Sequence, residues 1–160
     1  MGGKNIVPMS ELRKLFESLG HAEVMTVIQS GNIIFTTRRP VTPKSLEAAI
    51  GNQFGHDIRI VLRTADELES AVKANPFSRD PSKVHVGFMA DKPAAAAVAS
   101  LDTEQFRPDE FALRGRDLYL HLPNGMGRAK LPAYLDRRLK VPTTVRNWNT
   151  VTKLLGLARG

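Results

Sequence analysis

The chain reads as an α+β protein built of two ferredoxin-like, split β-α-β subdomains side by side, the first lacking its N-terminal strand. Three observations carry this expectation. Apolar residues switch several times between helical spacing and strand-like alternation. A Pro-rich polar stretch near the middle interrupts both periodicities. The order of elements after that stretch repeats the order before it, with one strand more.

The elements follow in chain order. Leu12, Leu15, Phe16 and Leu19 fall on one helical face between Met9 and Leu19, and Gly20 supplies the stop. Val24 to Ile28 and Ile33 to Thr37 are strand-like, joined by Gln29-Ser30-Gly31-Asn32, whose Gly and Asn tolerate positive φ. Thr42 before Pro43 is a helix cap followed by proline at the first helical position, with Leu46, Ala49, Ile50 and Phe54 inward. Ile58 to Leu62 reads as a third strand. Thr64-Ala65-Asp66-Glu67 is a capping box opening a helix with Leu68, Ala71 and Val72 on its apolar side.

Asn75-Pro76-Phe77-Ser78-Arg79-Asp80-Pro81 reads as a linker, which sets subdomains of residues 1–74 and 83–160 with 75–82 between them. Beyond it come a strand from Val84 to Met89 and an alanine-rich helix from Pro93 to Leu101. Strands Phe111 to Arg114 and Leu118 to Leu122 follow, around a Gly115-Arg116 turn. A helix from Leu131 to Leu139, a short strand Thr143 to Arg146 and a closing helix Trp148 to Ala158 complete the order.

Composition bounds the function. The chain has 160 residues, 42% hydrophobic and 24% charged, enough to bury a core. No apolar run nears the roughly 20 residues of a membrane span, and the start lacks a secretory apolar stretch, so no membrane partner is expected. There is no cysteine. That excludes disulfides, thiolate catalysis and cysteine-ligated metals, and makes a reducing cytoplasm the expected location. The net charge is +7. From Pro123 onward Arg128, Lys130, Arg137, Arg138, Lys140, Arg146, Lys153 and Arg159 face Asp136 alone, so this end carries the whole excess. A one-signed surface attracts anions, although charge runs also serve as plain solvated faces.

The leading site candidate is Asn124-Gly125-Met126-Gly127-Arg128-Ala129-Lys130, between a strand and a helix. Its glycines let backbone approach a ligand closely, and Arg128 and Lys130 suit phosphate. The spacing is not that of a Walker A loop, and a solvated Gly-rich turn is the plainer alternative. The second candidate is Arg146-Asn147-Trp148-Asn149, with Asn147 as a helix cap, Arg146 beside the helix start, and Trp148 either stacking on a base or anchoring the core. Arg128, Lys130 and Arg146 are expected on one surface. Gly3, Lys4 and Asn5, and Gln29, Ser30 and Asn32, are further polar turns that could touch a ligand. His85 and His121 lie in strands and could share one sheet face with Tyr119 as an acid/base pair. None of the four histidines has zinc-like spacing, so neither metal nor cofactor is expected.

Three stretches together resemble the bacterial family known as domain of unknown function 1697. They are Gly2-Gly3-Lys4-Asn5 with Val7-Pro8-Met9 and Glu11-Leu12; Ile28-Gln29-Ser30-Gly31-Asn32; and Leu122-Pro123-Asn124-Gly125-Met126-Gly127-Arg128 running on to Arg146-Asn147-Trp148-Asn149-Thr150-Val151-Thr152-Lys153-Leu154. Asn75-Pro76-Phe77 and His85 also fit, so the resemblance spans essentially the whole chain. It implies two α+β subdomains and no particular activity. It also implies an apolar strand ahead of Gly2, where this chain has only Met1. The expectation is therefore a shortened start. The first sheet should then show a gap, a collapse, or a strand taken from a neighbouring molecule, which would permit an oligomer.

Three function classes stay open. A module binding nucleic acid or a phosphate-bearing small molecule draws on the basic C-terminal quarter. An enzyme on a phosphate or acyl substrate would use Arg128, Lys130 and His121. A protein-interaction module needs no small ligand.

Overall fold

The computed structural model describes residues 7–27 and 31–159. It is a mixed α+β structure with two small antiparallel sheets and, among the described residues, six α-helices. The chain divides into two compact units between Leu62 and Arg63.

The first unit holds α1 (Met9–Ser18), β1 (Ala22–Val27), β2 (Asn32–Thr36) and α2 (Pro43–Phe54). Strands β1 and β2 form a two-stranded antiparallel sheet, with Val27 opposite Asn32 and Met25 opposite Ile34. Leu12 and Phe16 of α1, Val24 of β1, and Leu46 and Ile50 of α2 close its core, burying the faces that the sequence periodicity assigns inward. Thr42 caps α2 as its sequence predicts: its hydroxyl accepts from the Ser45 N–H at 3.1 Å. Ile58 to Leu62 departs from expectation. Its alternate residues Ile58, Ile60 and Leu62 pack on the core, yet it forms no strand among the described residues. The Ile60 N–H turns instead to the Glu47 carboxylate at 2.7 Å. Apolar alternation reports which side chains point inward, and burial here is achieved without a ladder.

The second unit begins with α3 (Ala65–Lys73) and continues with β3 (Val84–Met89), α4 (Ala95–Ala99), β4 (Glu110–Arg114), β5 (Asp117–His121), α5 (Leu131–Leu139), β6 (Thr143–Asn147) and α6 (Trp148–Arg159). The four strands make one antiparallel sheet in the order β4-β5-β3-β6. The first strand in sequence is thus interior, paired with β5 on one side and β6 on the other.

Register sets the faces, since directly opposed residues share a side. Val84, Val86 and Phe88 lie with Tyr119 and His121. Tyr119 is fully buried and donates its hydroxyl to the Ala71 carbonyl, which places α3 on this face. The other face carries Met89, Leu118 and Leu120, packed with Leu131, Tyr134, Leu135 and Leu139 of α5. Because α3 belongs to this sheet, both it and the 75–82 segment lie within the second unit, and the expected linker is not where the compact units part. The capping box is complete: Thr64 accepts from the Glu67 N–H, and the Glu67 carboxylate accepts from the Thr64 N–H at 2.8 Å.

Candidate functional site

Strands β5 and β6 both run antiparallel to β3, so both end at one end of the sheet. The leading candidate segment starts there. After His121 the Leu122 N–H donates to the Lys83 carbonyl, and Gly125 takes φ +89°, a conformation that favours glycine. Met126–Arg128 form one short 3₁₀ turn, closed by the Ala129 N–H on the Met126 carbonyl. Asn124, Arg128 and Lys130 are exposed, and Gly127 is exposed with them. Lys130 stands at the start of α5, which makes no side-chain cap there.

At the neighbouring strand end β6 runs straight into α6. Asn147 caps it as expected, its side-chain oxygen accepting from the Thr150 N–H at 2.8 Å. Trp148 is half-buried beside fully buried Val151, which favours its anchoring role, and Asn149 is exposed. Arg146 does not join Arg128 and Lys130. It lies opposite Val86, on the face packed by α3, whereas the glycine loop leads to α5 on the other face. Burial lowers the affinity of its guanidinium for a proton, and it donates to its neighbour Val145 carbonyl. The two basic stretches share a sheet end but not a sheet face.

The histidine pair is also corrected by register. His121 shares its face with Tyr119, while His85 sits opposite Leu120 and Asn147 on the other side. His85 is pushed below the ordinary imidazole range by burial. His121 has other partners. Its Nε2 lies 3.1 Å from Asp80 and its Nδ1 3.6 Å from Glu110, and the Phe77 ring stacks on it at 5.4 Å between centroids. Asp80, Glu110 and Phe77 are sequence-remote from His121, and nothing local marks them. Asn32, in β2, is buried rather than exposed to a ligand. Gly3, Lys4, Asn5, Gln29 and Ser30 lie outside the described residues.

One further charged cluster was not legible in the sequence. Arg63, Glu67, Arg114, Arg116 and Asp117 line a cleft of about 330 Å³ together with Asp66 and Ser70. Arg63 is nearly buried and donates to the Met89 and Arg116 carbonyls at 2.9 and 3.0 Å, with Asp117 at 3.5 Å. Arg116 pairs with Glu67 at 2.8 Å. Burial lowers the Arg63 pKa and raises that of Asp117, so desolvation outweighs their mutual attraction. Arg63 with Asp117 and Arg116 with Glu67 make two cation–carboxylate pairs that tie the β4–β5 turn to α3, while Asp66 pairs with Arg159.

Fold and site together describe an α+β protein with a basic, glycine-bearing loop at one sheet end. The chain belongs to the DUF1697 family of proteins of unknown function, whose model matches residues 1–119. The stretches 122–128 and 146–154 lie beyond that match. A conserved bacterial protein from Streptococcus pneumoniae shares the fold over 99% of this chain and 92% of its own, with a TM-score of 0.75 and 25% identity. No curated protein matches the chain. Among the described residues no helix is long and apolar enough to cross a membrane.

Proposed function

We propose that the second unit is a nucleic-acid-binding module whose contact surface runs along α5. One observation carries this reading: exposed bases stand at both ends of that helix, Arg128 and Lys130 before it and Arg137, Arg138 and Lys140 at its close, with Asp136 the single acid between them. Nine helical residues rise about 14 Å, so one phosphate cannot reach both ends but a phosphate polymer can. Arg138 is held over the Tyr134 ring at 5.3 Å, which reduces the ordering needed on binding. The cysteine-free composition supports a reducing, cytoplasmic setting where nucleic acid is the abundant polyanion. The strand order β4-β5-β3-β6, with its interior first strand, supports reading this unit as a split β-α-β domain.

Binding of a mixed-sequence oligonucleotide, followed by fluorescence anisotropy, should weaken steeply with salt. Arg128→Ala should lower the slope of log K against log salt by about one, the loss of one phosphate contact. Salt-independent binding, or a slope that Arg128→Ala leaves unchanged, overturns the reading.

A second reading rests on the His121–Asp80 pair, an imidazole held by a carboxylate as in general-base sites. It predicts turnover of a phosphate or acyl ester that His121→Gln abolishes while nucleic-acid binding persists.

A further inference from the structure

We infer that Met126 is a nucleobase wedge, so that the preferred ligand is single-stranded or locally unstacked nucleic acid. The inference rests on the nucleic-acid reading and deepens it. Met126 is 37% exposed, one of few large apolar side chains displayed to solvent among the described residues. It stands between Gly125 and Gly127, two residues before Arg128 and four before Lys130, all three exposed, so an apolar side chain is displayed in a basic segment. The turn beneath it is held by the Gly125 N–H on the Leu122 carbonyl and the Ala129 N–H on the Met126 carbonyl. The side chain is therefore presented on fixed backbone.

The two glycines differ in a way that points outward. Gly125 needs its positive φ. Gly127 does not: its φ is ordinary, and a Cβ built there meets no atom within 4 Å. The protein's own packing accepts a side chain at position 127. A glycine there leaves bare backbone beside the methionine, which is what close approach of a base or a sugar-phosphate chain requires. Unbranched, polarizable methionine adapts to a π-face, and nucleic-acid-binding proteins insert such apolar side chains between bases. An unpaired strand offers open base faces without the cost of unstacking a duplex.

The test compares a fluorescein-labelled 20-nucleotide single strand with a duplex of the same length, by anisotropy across a salt series. Wild type should bind the single strand more tightly. Met126→Ser should weaken that binding about five- to ten-fold at every salt concentration, with the slope unchanged, because a stacking contact rather than a phosphate contact is lost. Met126→Phe should retain it. Gly127→Val should melt at the wild-type temperature and lose single-strand affinity. Wild-type affinity in Met126→Ser, where Arg128→Ala still lowers the slope, overturns the wedge and leaves the nucleic-acid reading standing. Absence of salt-dependent binding in wild type overturns both.

Discussion

Tyr119 shows how one side chain joins two layers of the second unit. It is fully buried, and its hydroxyl donates to the Ala71 carbonyl. Ala71 lies in the last turn of α3, whose final carbonyls have no partner within the helix. The hydroxyl supplies one. Tyr119→Phe should therefore cost about 1–2 kcal/mol in urea denaturation, the loss of a hydrogen bond to a buried acceptor. Burial also pushes the phenol up to about 12, against an ordinary value of 10. The neutral form is favoured in the folded state, so this contribution is complete below pH 10 and is lost as pH rises from 10 to 12. The wild type should lose on the order of 2–3 kcal/mol across that window, and Tyr119→Phe should lose correspondingly less. Equal losses in both proteins would assign alkaline unfolding to other groups.

At the scale of elements, the interior position of β3 depends on close approach. A Cβ at Gly87 would stand 3.0 Å from the Thr143 methyl and 3.4 Å from Leu118. Leu118 is the residue of β5 directly opposite Gly87, and Thr143 of β6 lies diagonally across, opposite Met89. Gly87→Ala should destabilise by about 1–2 kcal/mol through overpacking. Thr143→Ser removes the methyl in contact, so the double variant should recover most of the loss in a double-mutant cycle. The helices, by contrast, carry their own signals. Thr42 with Pro43, the Thr64–Glu67 box and Asn147 cap where their sequence patterns place them. Caps are local interactions over three residues, which is why they are readable from sequence. The stretch 58–62 carries an equally clear apolar alternation and forms no ladder among the described residues, because pairing depends on a partner strand that local pattern does not specify.

At the scale of the molecule, the division between Leu62 and Arg63 assigns α3 and everything after it to one unit. Its sheet is covered by α3 on one face and by α5 on the other, so its core closes within residues 63–159. A fragment of residues 63–160 should melt cooperatively by circular dichroism and retain the salt-dependent oligonucleotide binding of the full chain. A fragment that lacks a cooperative transition would show that the unit needs the first 62 residues to fold.

The sequence by itself determined the α+β class, most helix boundaries, their caps, the family resemblance and the concentration of positive charge beyond Pro123. Each depends on neighbours a few residues apart or on composition. Only the tertiary structure decided which of those charges share a surface. Arg128 and Arg146 both lie beside helix starts, but strand register puts Arg146 on the α3 face and the loop carrying Arg128 on the way to α5. Register likewise separated His85 from His121 and set Glu110, 11 positions away, opposite His121, while the loop before β3 brings in Asp80, 41 positions away. The Arg63 network has the same origin, since its acceptors come from β3 and the β4–β5 turn. A pleated strand alternates sides at every residue, so a single step in register moves a side chain to the opposite face, and nothing within the strand's own sequence records that step.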